Sequence, residues 1–126
     1  DGDQKMKSRY YPHIDKAKVF GDHYVRDFSE HSRGVAVDVS LLYAKTGKPV
    51  DMGGHHDLLD PSSTTDSTLV TPSQRRNRMI LKTAFEKQGF ANYAPEWWHY
   101  RLLNEPEPTL HYYFPVWDGM TSAGRP

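Results

Sequence analysis

Apolar and polar residues alternate along the chain from Val35 to Leu42, and this period of two predicts a β-strand. One face of the predicted strand carries its branched apolar residues, namely Val35, Val37, Val39 and Leu41. Asp38 falls on the opposite face, so we expect an apolar inner face and a polar outer face. A polar connection then runs from Thr46 to Thr65, and connections of this length without regular structure are often functional loops.

A helix is predicted to begin directly after Thr71. Thr71 is a plausible N-cap, Pro72 suits the first helical position, and Gln74 completes a capping box. The helix is supported by a set of residues that recur at helical spacing, Met79, Ile80, Thr83 and Ala84, with Leu81 and Phe85 beside them. Gly89 is a natural terminator because glycine adopts the left-handed conformation that ends many helices.

Two further strands are predicted, from Trp97 to Leu103 and from Leu110 to Val116, with a turn over residues 104–108 between them. The order of strand, long loop, helix and two strands favours an α+β fold, in which a helix packs on a mostly antiparallel sheet. With 126 residues, the chain is expected to form a single domain over residues 1–126.

The composition limits the partners that the chain could bind and the residues that could hold a metal. Sixteen basic residues balance 16 acidic ones and the sequence pI is about 7.2, which argues against a nucleic-acid or anionic-membrane binder. No apolar run approaches the roughly 18 residues of a transmembrane helix, so no membrane span is expected. Cysteine is absent, so any metal must be held by His, Asp or Glu, and the compartment, periplasm or cytoplasm, stays open.

Two clusters of residues could hold a metal. His31 precedes the predicted strand and Asp38 lies on it, where a buried charge needs a partner, either a cation or backbone hydrogen bonds. Glu96 lies three residues before His99, near a strand start, so its carboxylate can approach an imidazole-bound metal. Two His and one carboxylate make a typical hydrolytic zinc site. The alternative is a surface His31, a hydrogen-bonded His99 in an aromatic strand and a solvated Glu96.

Taken together, the clusters resemble a known pair of motifs. The patterns Ser29-x-His31-x-x-Gly34-x-Ala36-x-Asp38 and Glu96-x-Trp98-His99 are similar to the paired zinc motifs of the D-alanyl-D-alanine metallopeptidases. Within these, the flanking residues resemble the D-Ala-D-Ala dipeptidases found in vancomycin resistance, over about residues 11–116. The resemblance implies a zinc site at the face of the sheet.

The resemblance also implies a role for each matching residue. His31, Asp38 and His99 would be the zinc ligands, and Glu96 would be the general base that takes a proton from zinc-bound water. The implied substrate-binding residues are Ser29, which would shape the pocket, and Asp57, which would hold the amino end of a small dipeptide. His55-His56 precede Asp57 where the family more often has an aromatic residue; a substrate contact there is open, and a second metal is not expected.

One departure concerns the arginine that stabilises the oxyanion in these dipeptidases. Its motif and roughly the first third of a typical member have no counterpart here, and none of Arg9, Arg26 and Arg33 lies in a matching stretch. We favour a separate N-terminal fragment that supplies the arginine. A shortened enzyme with another donor and a zinc-binding chain that hydrolyses poorly are the alternatives, and removing an oxyanion donor typically costs about 10²–10³ in rate.

The sequence therefore predicts a zinc metallopeptidase that hydrolyses D-Ala-D-Ala or a similar small dipeptide. Two alternatives stay open at this point. One is a peptidoglycan D,D-carboxypeptidase or endopeptidase of the same superfamily, and the other is a zinc-stabilised binding domain without catalysis.

Overall fold

The structure is a computed structural model, which describes residues 6–15, 18, 30–106 and 109–111. Its elements in chain order are helix α1 (Lys7–Tyr10), a 3₁₀ helix (Glu30–Arg33), strand β1 (Ala36–Asp38), a second 3₁₀ helix (Pro61–Ser63), helix α2 (Pro72–Glu86), and strands β2 (Phe90–Asn92) and β3 (His99–Leu102). Among the helices in these ranges, none has the length and apolar content that a membrane crossing requires.

The three strands form one antiparallel sheet with the order β1-β3-β2. Helix α2 covers this sheet through Leu81 and Phe85, which pack against Trp97, Trp98 and Tyr100 in the core. The ring centroids of Phe85 and Tyr100 lie 4.6 Å apart. A helix on an open antiparallel sheet confirms the predicted α+β class.

Helix α2 begins as its sequence predicts. The Thr71 hydroxyl accepts a hydrogen bond from the backbone N–H of Gln74, and the Gln74 side chain accepts one from the backbone N–H of Thr71. Of the residues at helical spacing, Met79 and Ile80 are 39% and 54% exposed, whereas Leu81 is buried. Arg78 is the other buried residue of the helix. The helix is rotated towards Arg78, whose guanidinium finds acceptors inside the fold.

The strand predicted from Val35 to Leu42 is shorter than expected. Strand β1 ends at Asp38, so the period of two does not continue across that residue. Ala36 is buried and Val37 is exposed, which reverses the predicted faces at these two positions. Val39 and Leu41 do pack against the core, as predicted. The prediction treated residues 35–42 as one strand, but the alternation of buried and exposed residues changes after Asp38.

The C-terminal strand predictions have mixed outcomes. Strand β3 lies within the strand predicted from Trp97 to Leu103. Of the strand predicted from Leu110 to Val116, Leu110 and His111 lie outside any strand, and the rest lies outside the described residues. The sequence does not predict strand β2, which has only three residues. The strand begins directly after Gly89, which ends the helical segment with a φ of 83°, so no turn signal separates the two elements.

A buried arginine ties the long loop to helix α2. The Arg78 guanidinium donates from Nε to the Met52 carbonyl at 2.7 Å and from Nη1 to the carbonyls of Ser62 and Thr64 at 2.7 and 2.8 Å. Burial lowers its pKa to about 10, which leaves Arg78 charged at neutral pH. We call Arg78 and these three carbonyls the Arg78 clamp. It fixes both ends of the loop segment that carries residues 55–57.

Asp51 adds a second attachment between this loop and helix α2. Its carboxylate accepts hydrogen bonds from the Gly53 backbone N–H and from Gln74 Nε2, both at 2.9 Å. Gly53 has a φ of 79°, and a Cβ there would lie 2.9 Å from the Gln74 side-chain oxygen. Glycine is therefore required at this turn for both backbone conformation and space.

Candidate metal centre

Three of the predicted ligands meet where β1 and β3 pair. Asp38 is the last residue of β1 and lies opposite His99, the first residue of β3, while the 3₁₀ helix before β1 carries His31. Asp38 Oδ1 lies 3.4 Å from His31 Nε2 and 3.2 Å from His99 Nδ1. The two imidazole nitrogens lie 3.2 Å from each other. These atoms form a nearly equilateral triangle, which we call the metal triangle.

The size of the metal triangle fits a zinc ion. Zinc binds nitrogen and oxygen ligands at about 2.0–2.1 Å in a tetrahedron, whose edges are then about 3.3–3.4 Å. The separations of 3.2–3.4 Å between the three ligand atoms match those edges. A tetrahedron with three protein ligands keeps its fourth vertex for water or substrate, which is the arrangement of catalytic rather than structural zinc sites.

The ring of His31 is held from its other nitrogen. His31 Nδ1 lies 3.1 Å from the Ala36 carbonyl oxygen, which can only accept, so Nδ1 carries the proton and Nε2 offers its lone pair. A partner of this kind orients the ring of a metal ligand. His99 Nε2 lies 3.7 Å from Glu30 Oε2, which is beyond hydrogen-bond distance. The sequence analysis assigned no role to Glu30, although its position directly before His31 was the available signal.

The pKa values of Asp38 and His99 are shifted in opposite directions, as expected for a carboxylate beside imidazoles. Burial alone would raise the pKa of Asp38, but the hydrogen bond with His99 and the charge of His31 outweigh it and hold that pKa below its usual value. The same hydrogen bond raises the pKa of His99. A metal ion would replace the proton that the two side chains share, because imidazole must be neutral to bind one.

Glu96 lies beside the triangle in a more buried position. Its Oε2 is 3.8 Å from His99 Nδ1, and its side chain is 12% exposed. Burial is the largest cause that raises the pKa of Glu96, the charge of His99 opposes it, and the negative charges of Asp38 and Asp57 add to it, so that the pKa is about 7. A carboxylate with a pKa near neutrality can both accept and release a proton at physiological pH.

The predicted substrate-binding residues have different outcomes. Asp57 is 56% exposed and adopts a φ of 61°, and its carboxylate reaches the site through His56, whose Nδ1 lies 3.1 Å from Asp57 Oδ2. Ligand atoms of Asp38, His56 and Asp57 all lie within 4.8 Å of one another. Ser29 lies outside the described residues. The structure therefore brings Asp57 to the edge of the site.

The arginines considered from the sequence have other partners. Arg33 Nη2 lies 3.0 Å from Glu105 Oε2 and 3.8 Å from Glu30 Oε1. The Arg9 guanidinium lies 5.3 Å from the centre of the Tyr10 ring. Arg26 lies outside the described residues. None of these contacts assigns an oxyanion donor.

The chain is similar to a known family of proteins and to several of its members. A family model described as "D-ala-D-ala dipeptidase", Peptidase M15, matches residues 2–117. A protein named D-alanyl-D-alanine dipeptidase from Streptomyces coelicolor is 44% identical over 114 residues, which cover 90% of this chain and 56% of that protein. Proteins of the same name from Enterococcus faecalis and Enterococcus faecium are 37% and 39% identical over 114 and 110 residues. These alignments cover 90% and 87% of this chain and 56% and 54% of those proteins.

The chain thus spans about half the length of the curated relatives it matches. These relatives give no support to the separate N-terminal fragment expected from the sequence, and that fragment stays a prediction.

Proposed function

The chain belongs to the D-Ala-D-Ala dipeptidase family, Peptidase M15, and from this premise we propose that it carries the zinc-dependent centre for hydrolysis of D-Ala-D-Ala or a similar small dipeptide. The observation that carries the proposal is the metal triangle, whose three edges of 3.2–3.4 Å match a zinc tetrahedron. Glu96, with its pKa near neutrality beside the triangle, is the second support.

The zinc would be held by His31, Asp38 and His99. When bound, zinc supplies Lewis-acid activation of water and of the scissile carbonyl. The chain contributes the orientation of its ligands, since the Ala36 carbonyl fixes the ring of His31 and Glu30 lies beside the ring of His99. One ligand position is left for the reacting groups.

Glu96 would move the proton during hydrolysis. Its carboxylate takes a proton from the attacking water as the water oxygen bonds to the carbonyl carbon. When the C–N bond breaks, Glu96 gives that proton to the leaving amine. Its raised pKa suits both steps, because a group with a pKa near the working pH exchanges protons in both directions.

Asp57 would pair with the ammonium group at the amino end of the dipeptide. Its side chain is 56% exposed, so a substrate can reach it, and its carboxylate lies within 4.8 Å of a ligand atom of Asp38. A carboxylate at this position favours a free amino terminus, and it discriminates against a longer peptide whose nitrogen at that point is an uncharged amide.

The test is turnover of free D-Ala-D-Ala by the zinc-loaded chain and by Glu96→Gln. We expect the substitution to lower kcat by about 10²–10⁴ with zinc content unchanged, since general acid–base catalysis contributes a factor of this size. Glu86→Gln is the matched control, because Glu86 lies in an exposed pair with Lys82 on helix α2. Zinc binding with no turnover by the unsubstituted chain would contradict the proposal and favour the binding domain without catalysis.

Substrate choice separates the dipeptidase from its enzymatic alternative. We expect the chain to hydrolyse free D-Ala-D-Ala faster than a peptidoglycan stem pentapeptide. A preference for the pentapeptide would replace the dipeptidase proposal with the carboxypeptidase or endopeptidase.

A further inference from the structure

His56 lies between two carboxylates of the site. Its Nε2 is 3.2 Å from Asp38 Oδ2, and its Nδ1 is 3.1 Å from Asp57 Oδ2. The ring also packs against Trp98, with centroids 5.6 Å apart, and Trp98 is fully buried. His56 is half-exposed, but its ring contacts a carboxylate at each nitrogen and the Trp98 ring.

The two oxygens of Asp38 face different partners. Oδ1 belongs to the metal triangle, with His31 and His99 at 3.4 and 3.2 Å. Oδ2 faces His56. Asp38 therefore contacts the metal triangle through one oxygen and His56 through the other.

His56 contacts the two carboxylates through different nitrogens. Its Nε2 is hydrogen-bonded with Asp38 Oδ2, and its Nδ1 lies 3.1 Å from Asp57 Oδ2. Ligand atoms of the three residues lie within 4.8 Å of one another, so one imidazole joins Asp57 to Asp38.

Asp57 needs such a partner to remain near the site. Its carboxylate lies close to the acidic groups of Asp38 and Glu96, whose negative charges repel it towards solvent. Its backbone is also in the left-handed region, at φ 61°, which a residue with a side chain adopts at a cost. The contact with His56 Nδ1 opposes both tendencies.

We propose that His56 is a positioning residue that holds the Asp57 carboxylate at a fixed distance from the metal triangle and so sets the length of peptide that fits between them. This inference rests on the proposed function, in which Asp57 binds the substrate's amino end. The gain is preorganisation, because a carboxylate already in place does not lose conformational freedom when substrate binds.

The experiment compares His56→Ala and His56→Gln with the unsubstituted, zinc-loaded chain. For free D-Ala-D-Ala at saturating zinc we expect His56→Ala to raise KM about tenfold, as for loss of a close contact between charged groups, and to change kcat less than KM. His56→Gln should restore part of the affinity, since its amide N–H groups can reach a carboxylate. His55→Ala is the matched control, because the His55 ring contacts the backbone carbonyls of Arg9 and His56 instead.

Two further measurements separate positioning from a general structural role. With N-acetyl-D-Ala-D-Ala, which has no ammonium group, His56→Ala should leave KM unchanged. In an Asp57→Asn background, His56→Ala should have little additional effect on the KM for free D-Ala-D-Ala, because the two side chains act through one contact. An equal rise of KM for both substrates, or a loss of zinc with unchanged KM, would overturn the inference.

Failure of the proposed function gives a different result. If the unsubstituted chain does not hydrolyse D-Ala-D-Ala, calorimetry of that dipeptide against the zinc-loaded chain replaces KM. About tenfold weaker binding by His56→Ala would then support the positioning role without catalysis. Equal affinities, or binding to neither protein, would overturn it.

Discussion

Arg78 and Asp38 are both charged side chains, but their partners differ in kind. Arg78 is fully buried and donates to three backbone carbonyls. Asp38 is partly exposed and faces three imidazoles, from His31, His56 and His99. The groups around Arg78 are uncharged acceptors that the chain supplies in fixed positions, whereas those around Asp38 are titratable groups that bind protons and metal ions.

The difference separates a structural site from the proposed metal site. The Arg78 clamp is formed within the chain, since Nε and Nη1 of the guanidinium donate to backbone carbonyls without a ligand. At the metal triangle, two imidazole nitrogens lie 3.2 Å apart, a separation that brings two lone pairs together unless a proton or cation lies between them. Substitutions in the clamp should therefore change stability, and those in the triangle should change zinc binding.

The largest stability effect is expected from Arg78→Met. The substitution leaves the carbonyls of Met52, Ser62 and Thr64 without their donor, and we expect a loss of about 3 kcal/mol or more in the free energy of unfolding. Urea unfolding measures the loss, with Arg76→Met on the exposed side of helix α2 as the control. Equal stability of the two variants would contradict a structural role for Arg78.

Asp38→Asn should weaken zinc binding at least about 100-fold, because changing even the residues that support metal ligands costs 10- to 100-fold. Calorimetric titration with zinc measures the change. The matched control is Asp51→Asn, whose carboxylate belongs to the attachment between the loop and helix α2. It should lower stability and leave zinc affinity unchanged, and a loss of zinc affinity in both variants would show that the two regions are not separate.

A smaller and pH-dependent effect is expected from Asp60→Asn. Burial alone would raise the pKa of Asp60, but hydrogen bonds from Ser62 and His13 outweigh it and lower that pKa overall. Its ionised form therefore contributes stability above the unfolded pKa of about 3.9, and the contribution is lost as pH falls through the lower folded pKa.

We expect Asp60→Asn to cost about 1 kcal/mol at pH 7, because a neutral amide accepts the hydrogen bonds of Ser62 and His13 more weakly than a carboxylate, and less as the pH falls below about 4. Urea unfolding across this pH range tests the prediction, with exposed Asp66→Asn as the control. A difference between Asp60→Asn and the unsubstituted chain that is the same at every pH would contradict the role of the ionised form.

The sequence predicted best what neighbouring residues determine. The capping box of Thr71 and Gln74 lies within four residues, and its prediction is confirmed. The α+β class and the family resemblance are confirmed as well, because they rest on residue type and spacing. The roles of the individual site residues and the single domain stay predictions.

What the sequence could not predict depends on distant partners. Arg78 is buried because it donates to backbone carbonyls that lie 14 to 26 residues away in the sequence. Polar–apolar periodicity uses only nearby residues and therefore predicts that an arginine is exposed. The same holds for His56, whose contact with Asp38 joins residues 18 apart. Local spacing identified the chemical groups, and the fold determined which of them meet.

The central claim is that the metal triangle binds one zinc ion, and anomalous diffraction at the zinc edge from zinc-soaked crystals tests it most directly. We expect one peak about 2.0–2.2 Å from His31 Nε2, Asp38 Oδ1 and His99 Nδ1. A peak elsewhere on the chain with none between these three atoms, or a triangle that stays empty at saturating zinc, would contradict the account.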